Sequence, residues 1–357
     1  MRANKDKKKK EFTIFIILII ILIIALAVVV AYLYVKSSKD NTIDLGTDII
    51  KDEKEPIIVE QKGVEIFKGN DRPIAVMIDN SKDAMPHAGL NKAYIVYEMI
   101  AEGGESRLMA LFKGQNVTKI GPVRSSRHYF LDYAMENDAI YVHYGWSPEA
   151  QIDISLYGIN NINGVTNDSK YFWRVKDKKA PHNAVTSTEN ILKAANDKKY
   201  RTTSSVSSVL KYVVDDVEID GEDAKKITIP FSTFNKATWK YIEESKTYER
   251  YSKGIKEVDW DTKEPYTAKN IIIEFIKNEK LEDGEQKDRQ TMSTVGIKDG
   301  YFITNGKSIK IKCEKATRNG KTVYKDLEGN EIKVNDGNTF IEICPIDADV
   351  KIENEEE

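Results

Sequence analysis

The stretch "FTIFIILIIILIIALAVVVAYLYV", residues 12–35, carries no charged side chain at any position. A membrane span needs ~20 apolar residues, and a soluble helix is rarely apolar on every face over such a length. Arg2, Lys5 and Lys7 to Lys10 precede the run, whereas Asp40, Asp44, Asp48, Asp52 and Glu53 follow it. The positive-inside rule places residues 1–11 in the cytoplasm and the remainder outside. The run is longer than the apolar region of a cleaved signal peptide, and no small-x-small site closes it. Lipid attachment requires a cysteine just after the run, but the two cysteines are Cys313 and Cys344. The expectation is an uncleaved signal anchor over 12–35 in the cell membrane. The chain would pass the bilayer once, with its main body extracytoplasmic.

The 357 residues allow more than one domain, and the net charge of −3 gives no basic field for nucleic acid. Residues 36–66 are polar and aperiodic and read as a tether. "RPIAVMIDN" (72–80) and "DAIYVHYG" (138–145) read as strands. "SPEAQIDISLYG" (147–158) is a capped helix, with Ser147 as N-cap, Pro148 at its first position and Gly158 as a stop. A second capped helix spans 187–197. Beyond residue 226 alternating β runs are punctuated by "TNGK", "RNGK", "EGNE" and "NDGN" turns. The expected fold is α+β: a mixed α/β-type domain over 67–205, then a mostly antiparallel β domain over 226–352. Cys313 and Cys344 are free to pair or to remain thiols.

"AYIVYEMIAEGGESRLMALF" (93–112) reads as a hairpin with Gly103-Gly104 as a two-residue turn. That register sets 102 opposite 105, 100 opposite 107 and 98 opposite 109. Glu98, Glu102, Glu105 and Arg107 then share one face, and two facing carboxylates raise one pKa toward that of a proton donor. "IGPVRSSRHYFLDYA" (120–134) reads as a helix entry whose first turn is cationic, an unfavourable match to the helix dipole. On such a helix Arg124 and Arg127 face one way with His128 beside them, directed at the acidic hairpin face. An arginine–carboxylate structural network explains the same residues without a ligand.

Asp79 and His143 each sit near the carboxyl end of a strand, where open α/β sheets build sites. His182 and Asn183 lie in the loop "APHNAVTST", and Trp146 belongs to an aromatic-rich stretch suited to a sugar groove. All four histidines lie before residue 205, but no H-x-H or H-E-x-x-H pattern occurs, so neither a metal nor a cofactor is expected. No G-x-S-x-G elbow marks a serine nucleophile.

"RPIAVMIDNS", "IVYEMIAEGGESR", "IGPVRSSRHYF", "DAIYVHYGWSPEA" and "APHNAVT" together resemble the YerB-like family of bacterial lipoproteins, two adjoining domains of unknown function. The resemblance is strongest over about residues 70 to 200 and extends to "GKTVYKDLEGNEIKVNDGNTFIEICP" in the second half. It implies a cell-envelope location in Gram-positive-type bacteria and carries over no catalytic residue. The chain departs from the family in lacking a lipid-bearing cysteine, for which the membrane helix substitutes.

Two functions fit these features. The first is cleavage of peptidoglycan glycan strands, as a lytic transglycosylase or glycoside hydrolase. Glu102 or Glu105 would act as acid, Glu98, Asp79 and His143 would be further catalytic candidates, and Arg107, Arg124, Arg127, His128, Trp146, His182 and Asn183 would hold substrate. The second is a non-catalytic module that binds a wall polymer or an envelope protein.

Overall fold

The computed structural model describes residues 63–354 apart from 167, 215 and 283–286. The expected cytoplasmic tail, membrane span and nearly all of the tether lie outside the described residues. Among the described residues no helix is long and apolar enough to cross a membrane.

β1 (Ile74–Asp79) is buried along its whole length, as an apolar strand covered on both faces must be. The hairpin β2 (Ile95–Ile100) and β3 (Ser106–Phe112) follows, then α1 (His128–Glu136), β4 (Ile140–His143), α2 (Pro148–Leu156), β5 (Asn161–Asn163) and α3 (Thr188–Asp197). The N-caps of α2 and α3 are those the sequence predicts. Ser147 Oγ accepts from the Ala150 N–H at 3.3 Å, and Ser187 Oγ accepts from the Asn190 N–H at 3.2 Å. The second half is built of β6 (Lys226–Pro230), β7 (Lys236–Ile242), β8 (Thr247–Ser252), β9 (Asn270–Ile276), β10 (Gly296–Thr304), β11 (Lys307–Lys315), β12 (Thr322–Lys325), β13 (Thr339–Pro345) and β14 (Lys351–Glu353).

The fold is α+β, with a mixed first part and a mostly antiparallel second part. One eleven-stranded sheet runs through both parts, in the order β12-β11-β10-β9-β13-β2-β3-β1-β4-β5, with the short strand Glu222–Asp223 beside β11. β13 is the join, parallel to β9 on one side and to β2 on the other. β14, β6, β7 and β8 form a second, antiparallel sheet. Cys313 and Cys344 are buried thiols. They stand on β11 and β13, three strand spacings apart in the sheet, roughly 14 Å, beyond the reach of a disulfide.

Two local expectations are corrected. The hairpin pairs Ile100 with Ser106 and Glu98 with Leu108, one residue away from the expected register. The turn is longer than two residues. Glu102 to Gly104 form a single helical turn closed by the Glu105 N–H on the Glu102 carbonyl, with positive φ at Gly103 and Gly104. A one-residue slip inverts the faces, so Glu98 and Arg107 point to opposite sides of the sheet. Residues 121–127 are extended rather than helical, and α1 starts only at His128. Their backbone groups are committed elsewhere: Arg124 N–H donates to the Met77 carbonyl, Ser126 N–H to the Gly145 carbonyl, and the Pro122 carbonyl accepts from Asp79. Arg124 and Arg127 therefore diverge.

Arg250, on β8, is wholly buried between the two sheets. Its Nη2 lies 2.6 Å from Glu98 Oε2, its Nε 2.7 Å from Glu257 Oε2, and its Nη1 3.8 Å from Glu342 Oε1. Glu342 also accepts a hydrogen bond from Trp239 Nε1 at 2.9 Å. Burial, then the charge of Glu98, pushes the Glu342 carboxyl well up despite the pull of Arg250.

Removing one partner of a buried ion pair costs ~3–5 kcal/mol. Arg250→Met should lower the urea unfolding midpoint accordingly, with part of the loss recovered in Arg250→Met/Glu98→Gln. A loss below about 1 kcal/mol would contradict the role assigned to Arg250. Glu342 ionises near pH 4.5 in an unfolded chain and only at higher pH in the fold. Its contribution is thus complete below that pH and is lost as pH rises toward its folded value. Glu342→Gln should flatten the decline in stability as pH rises above about 4.5, by at most ~1.4 kcal/mol per pH unit.

Candidate functional site

β1 ends in Asp79-Asn80-Ser81, at the carboxyl end of a strand parallel to its neighbour β4. Asp79 is only 4% exposed. Its Oδ1 accepts from the Ser81 N–H at 3.1 Å. Its Oδ2 meets His182 Nδ1 at 2.8 Å and Arg124 Nε at 3.2 Å. Burial pulls the Asp79 carboxyl upward, but Arg124, the Ser81 N–H and His182 outweigh it and hold the group below the ordinary carboxylate range. The His182 tautomer follows from its partner: an ionised carboxylate only accepts, so Nδ1 carries a proton, and in the neutral ring the lone pair is on Nε2. Ser81 Oγ lies 3.0 Å from the same Nδ1. A serine nucleophile would face Nε2, so these three residues are not a Ser-His-Asp relay.

Neighbouring elements lock this corner. His87 Nε2 bonds the Asp79 carbonyl at 2.8 Å, and the Asn80 amide donates to Glu98 Oε1 at 2.9 Å and to Ser106 Oγ at 2.8 Å. Lys253, from the turn after β8, donates to the Asn80 carbonyl at 2.7 Å and pairs with Glu105 at 2.7 Å. Asn183 ties down the loop that carries His182, donating to the Val175 and Lys178 carbonyls and accepting from Arg174. Lys178 donates to the Ala84 and Pro86 carbonyls and lies 4.2 Å from the Trp260 ring.

The remaining candidates separate into three environments. Glu102 is held by Arg107 at 2.8 Å and by Arg127, while Arg107 also donates to the Ser125 carbonyl. Burial would raise the Glu102 carboxyl, but the two arginines more than offset it and hold it low. That setting favours the charged form, the reverse of what a proton donor needs. Glu98 belongs to the Arg250 cluster on the other face of the sheet. Glu105 is partly exposed beside Lys253.

His143 uses both ring nitrogens, on the Gly145 carbonyl at 2.8 Å and Asn161 Oδ1 at 3.1 Å, and burial lowers its pKa. Trp146 packs against it with ring centroids 5.5 Å apart. His128 bonds Thr291 Oγ1 at 3.1 Å, and burial lowers its pKa as well. Among the described residues no three His, Cys, Asp or Glu side chains converge as a metal-binding set.

Of the residues singled out in the sequence, the structure brings together Asp79, Arg124 and His182, with Asn183 in support. It gathers Glu102, Arg107 and Arg127 in a second group. Ser81 and Lys253 were not singled out. Ser81 is adjacent to the predicted strand end, whereas Lys253 comes from the other half of the chain and leaves no local signal.

The fold and this corner define a two-part mixed-sheet protein with a carboxylate-anchored Arg–His pair at a strand end. Residues 62–201 match the family described as "Protein of unknown function (DUF3048) N-terminal domain", and residues 227–341 match the corresponding C-terminal domain. The chain belongs to this family. It is 32% identical over 285 residues to the protein of Bacillus subtilis (strain 168) named "Putative lipoprotein YerB", covering 77% of this chain and 81% of that protein. The crystal structure of YerB protein from Bacillus subtilis superposes with a TM-score of 0.72 at 29% identity, covering 84% of this chain and 100% of that one.

The tautomer is open to direct measurement. Imidazole 15N shifts should show the neutral His182 ring protonated at Nδ1, and Asp79→Ala should abolish that preference. An Nε2-protonated ring in the unsubstituted protein would be incompatible with this geometry.

Proposed function

We propose that the chain is a membrane-anchored, extracytoplasmic envelope protein whose Asp79–Arg124–His182 cluster binds an anionic, hydroxyl-bearing group of a wall polymer without cleaving it. One observation carries the binding reading. Asp79 engages Arg124 only through Nε and His182 only through Nδ1, so both Arg124 Nη groups and His182 Nε2 have no protein partner among the described residues. Both side chains are partly exposed, at 26% and 19%. A guanidinium with two open donors suits a carboxylate or phosphate, and the adjacent Nε2 lone pair accepts from a neighbouring hydroxyl. The uncharged apolar run over 12–35 and the lipoprotein name of the Bacillus subtilis relative support the location. The ion-paired state of Glu102 favours binding over glutamate-catalysed glycan cleavage.

The test uses the full chain in detergent micelles with purified cell walls, before and after removal of their anionic polymers. Arg124→Ala should weaken retention by about tenfold or more, as loss of a charge-assisted contact does. Removal of the anionic polymers should have the same effect, and neither treatment should release new glycan ends by mass spectrometry. Retention unchanged in both Arg124→Ala and His182→Ala would end the binding reading. New glycan ends that vanish in Glu102→Gln would replace it with catalysis.

A further inference from the structure

At the opposite end of β1 from the Asp79 corner, a cavity of about 530 Å³ opens between the start of β1, the loop after β3 and α3. The volume lies within the ~300–1,000 Å³ range of small-molecule sites. Its walls are ordered by main-chain bonds. Asp71 bridges to Thr203, the Arg72 N–H donates to the Thr202 carbonyl at 2.8 Å, and the Ser204 N–H donates to the Asn70 carbonyl at 2.8 Å.

Charge excludes one class of ligand. Arg72 is the only cation lining the cavity, and it is fully engaged. Its Nε donates to the Asp138 carbonyl at 2.7 Å, and its Nη1 donates to Asn160 Oδ1 at 2.6 Å. The charges left facing the space are the carboxylates of Asp71 and Glu189, the latter paired with Lys193. An anion entering here would meet like charge and no free donor cation.

The uncommitted polar side chains point to a different ligand. Those of Gln115, Asn116, Asn196 and Thr203 have no hydrogen-bond partner among the described residues, while the Asp71 carboxylate is balanced by the nearby charge of Lys113, whose ammonium is held on the Asp71 carbonyl. Three are amides, each with two donors and an acceptor, and Thr203 supplies a hydroxyl. Gly114, at φ 62°, leaves the Asp71 carboxylate open, since a Cβ there would stand 3.2 Å from Asp71 Oδ2. Beneath them Ile74, Phe112 and the 40%-exposed Leu192 give an apolar strip. A carboxylate, several amides and an apolar floor match the hydroxyls, acetamido group and C–H face of a neutral sugar.

We propose that this cavity binds a neutral, acetamido-bearing sugar unit of a glycan. The site is independent of the Asp79 corner, which lies roughly 17 Å away along β1. It gives the chain a second point of contact with a polymer.

The test is titration calorimetry of the full chain in detergent micelles with a neutral tetramer of N-acetylglucosamine, and with a tetramer of galacturonic acid as the charged probe. The neutral tetramer should bind saturably and the charged one at least tenfold more weakly. Gln115→Ala/Asn196→Ala should weaken neutral binding by about tenfold, as loss of two or more hydrogen bonds does. Both positions are exposed, so the thermal midpoint should be unmoved. Arg124→Ala should leave neutral binding intact, which separates this site from the anion corner. No saturable binding of the neutral tetramer, undiminished binding in the double variant, or equal affinity for the charged tetramer would each overturn the proposal.

Discussion

A single buried guanidinium ties the two sheets of this protein to each other. Arg250 rises from β8 in the second sheet and meets Glu98 on β2 and Glu342 on β13, neighbouring strands of the first sheet, as well as Glu257. Desolvating that charge is costly, and the cost is offset only when the carboxylates are in place. Glu257 and Glu342 belong to the same half as Arg250, whereas Glu98 comes from the other, so the second half alone leaves the cluster one carboxylate short. The parallel pairing of β13 between β9 and β2 makes the same demand through backbone hydrogen bonds. The segments matched by two family domains therefore share one sheet.

The consequence reaches the candidate site through Asn80. Glu98 gives one oxygen to Arg250 and the other to Asn80 and Ser106. Asn80 is thereby fixed between Asp79 and Ser81, and Lys253 fastens its carbonyl from the β8 side. Asp79 cannot move without disturbing the buried cluster. The Arg–His pair it carries is thus held by the interior of the protein, while the Arg124 Nη groups and His182 Nε2 stay open. The binding proposed for this corner requires such support, because the corner must not collapse onto itself when empty.

Capped helices and apolar strands were legible in the sequence because their signals are local. Ser147-Pro148 and Ser187 name the starts of α2 and α3, and "IAVMID" names a strand buried on both faces. The Asp79 corner was half legible, since a polar pair closing such a strand is where open sheets place ligands. The hairpin register was not. Gly103-Gly104 suits a two-residue turn, but the helical turn from Glu102 consumes more chain, and that choice depends on Glu102 reaching Arg107 and Arg127. "GPVRSSR" misled for a related reason: its residues tolerate a helix, but β1 and the Gly145 loop claim its backbone groups first. Arg250 left no signal, because its partners are up to 152 residues away in the chain.

Glu98, Glu102 and Glu105 lie within eight residues and meet three different fates, which no pattern of acidic residues can distinguish. One is buried in a shared ion cluster, one is gripped by two arginines in the turn between β2 and β3, and one pairs with a lysine in partial contact with water. The two that are most enclosed are also the most fully neutralised by cations. The first is bound into the interior that supports the Asp79 corner, and the second is paired with Arg107 and Arg127. Arg124 differs from those arginines because Asp79 is shared. With His182 on the same oxygen, the carboxylate can satisfy only the Nε edge of the guanidinium, and the other edge remains available for an anion from outside.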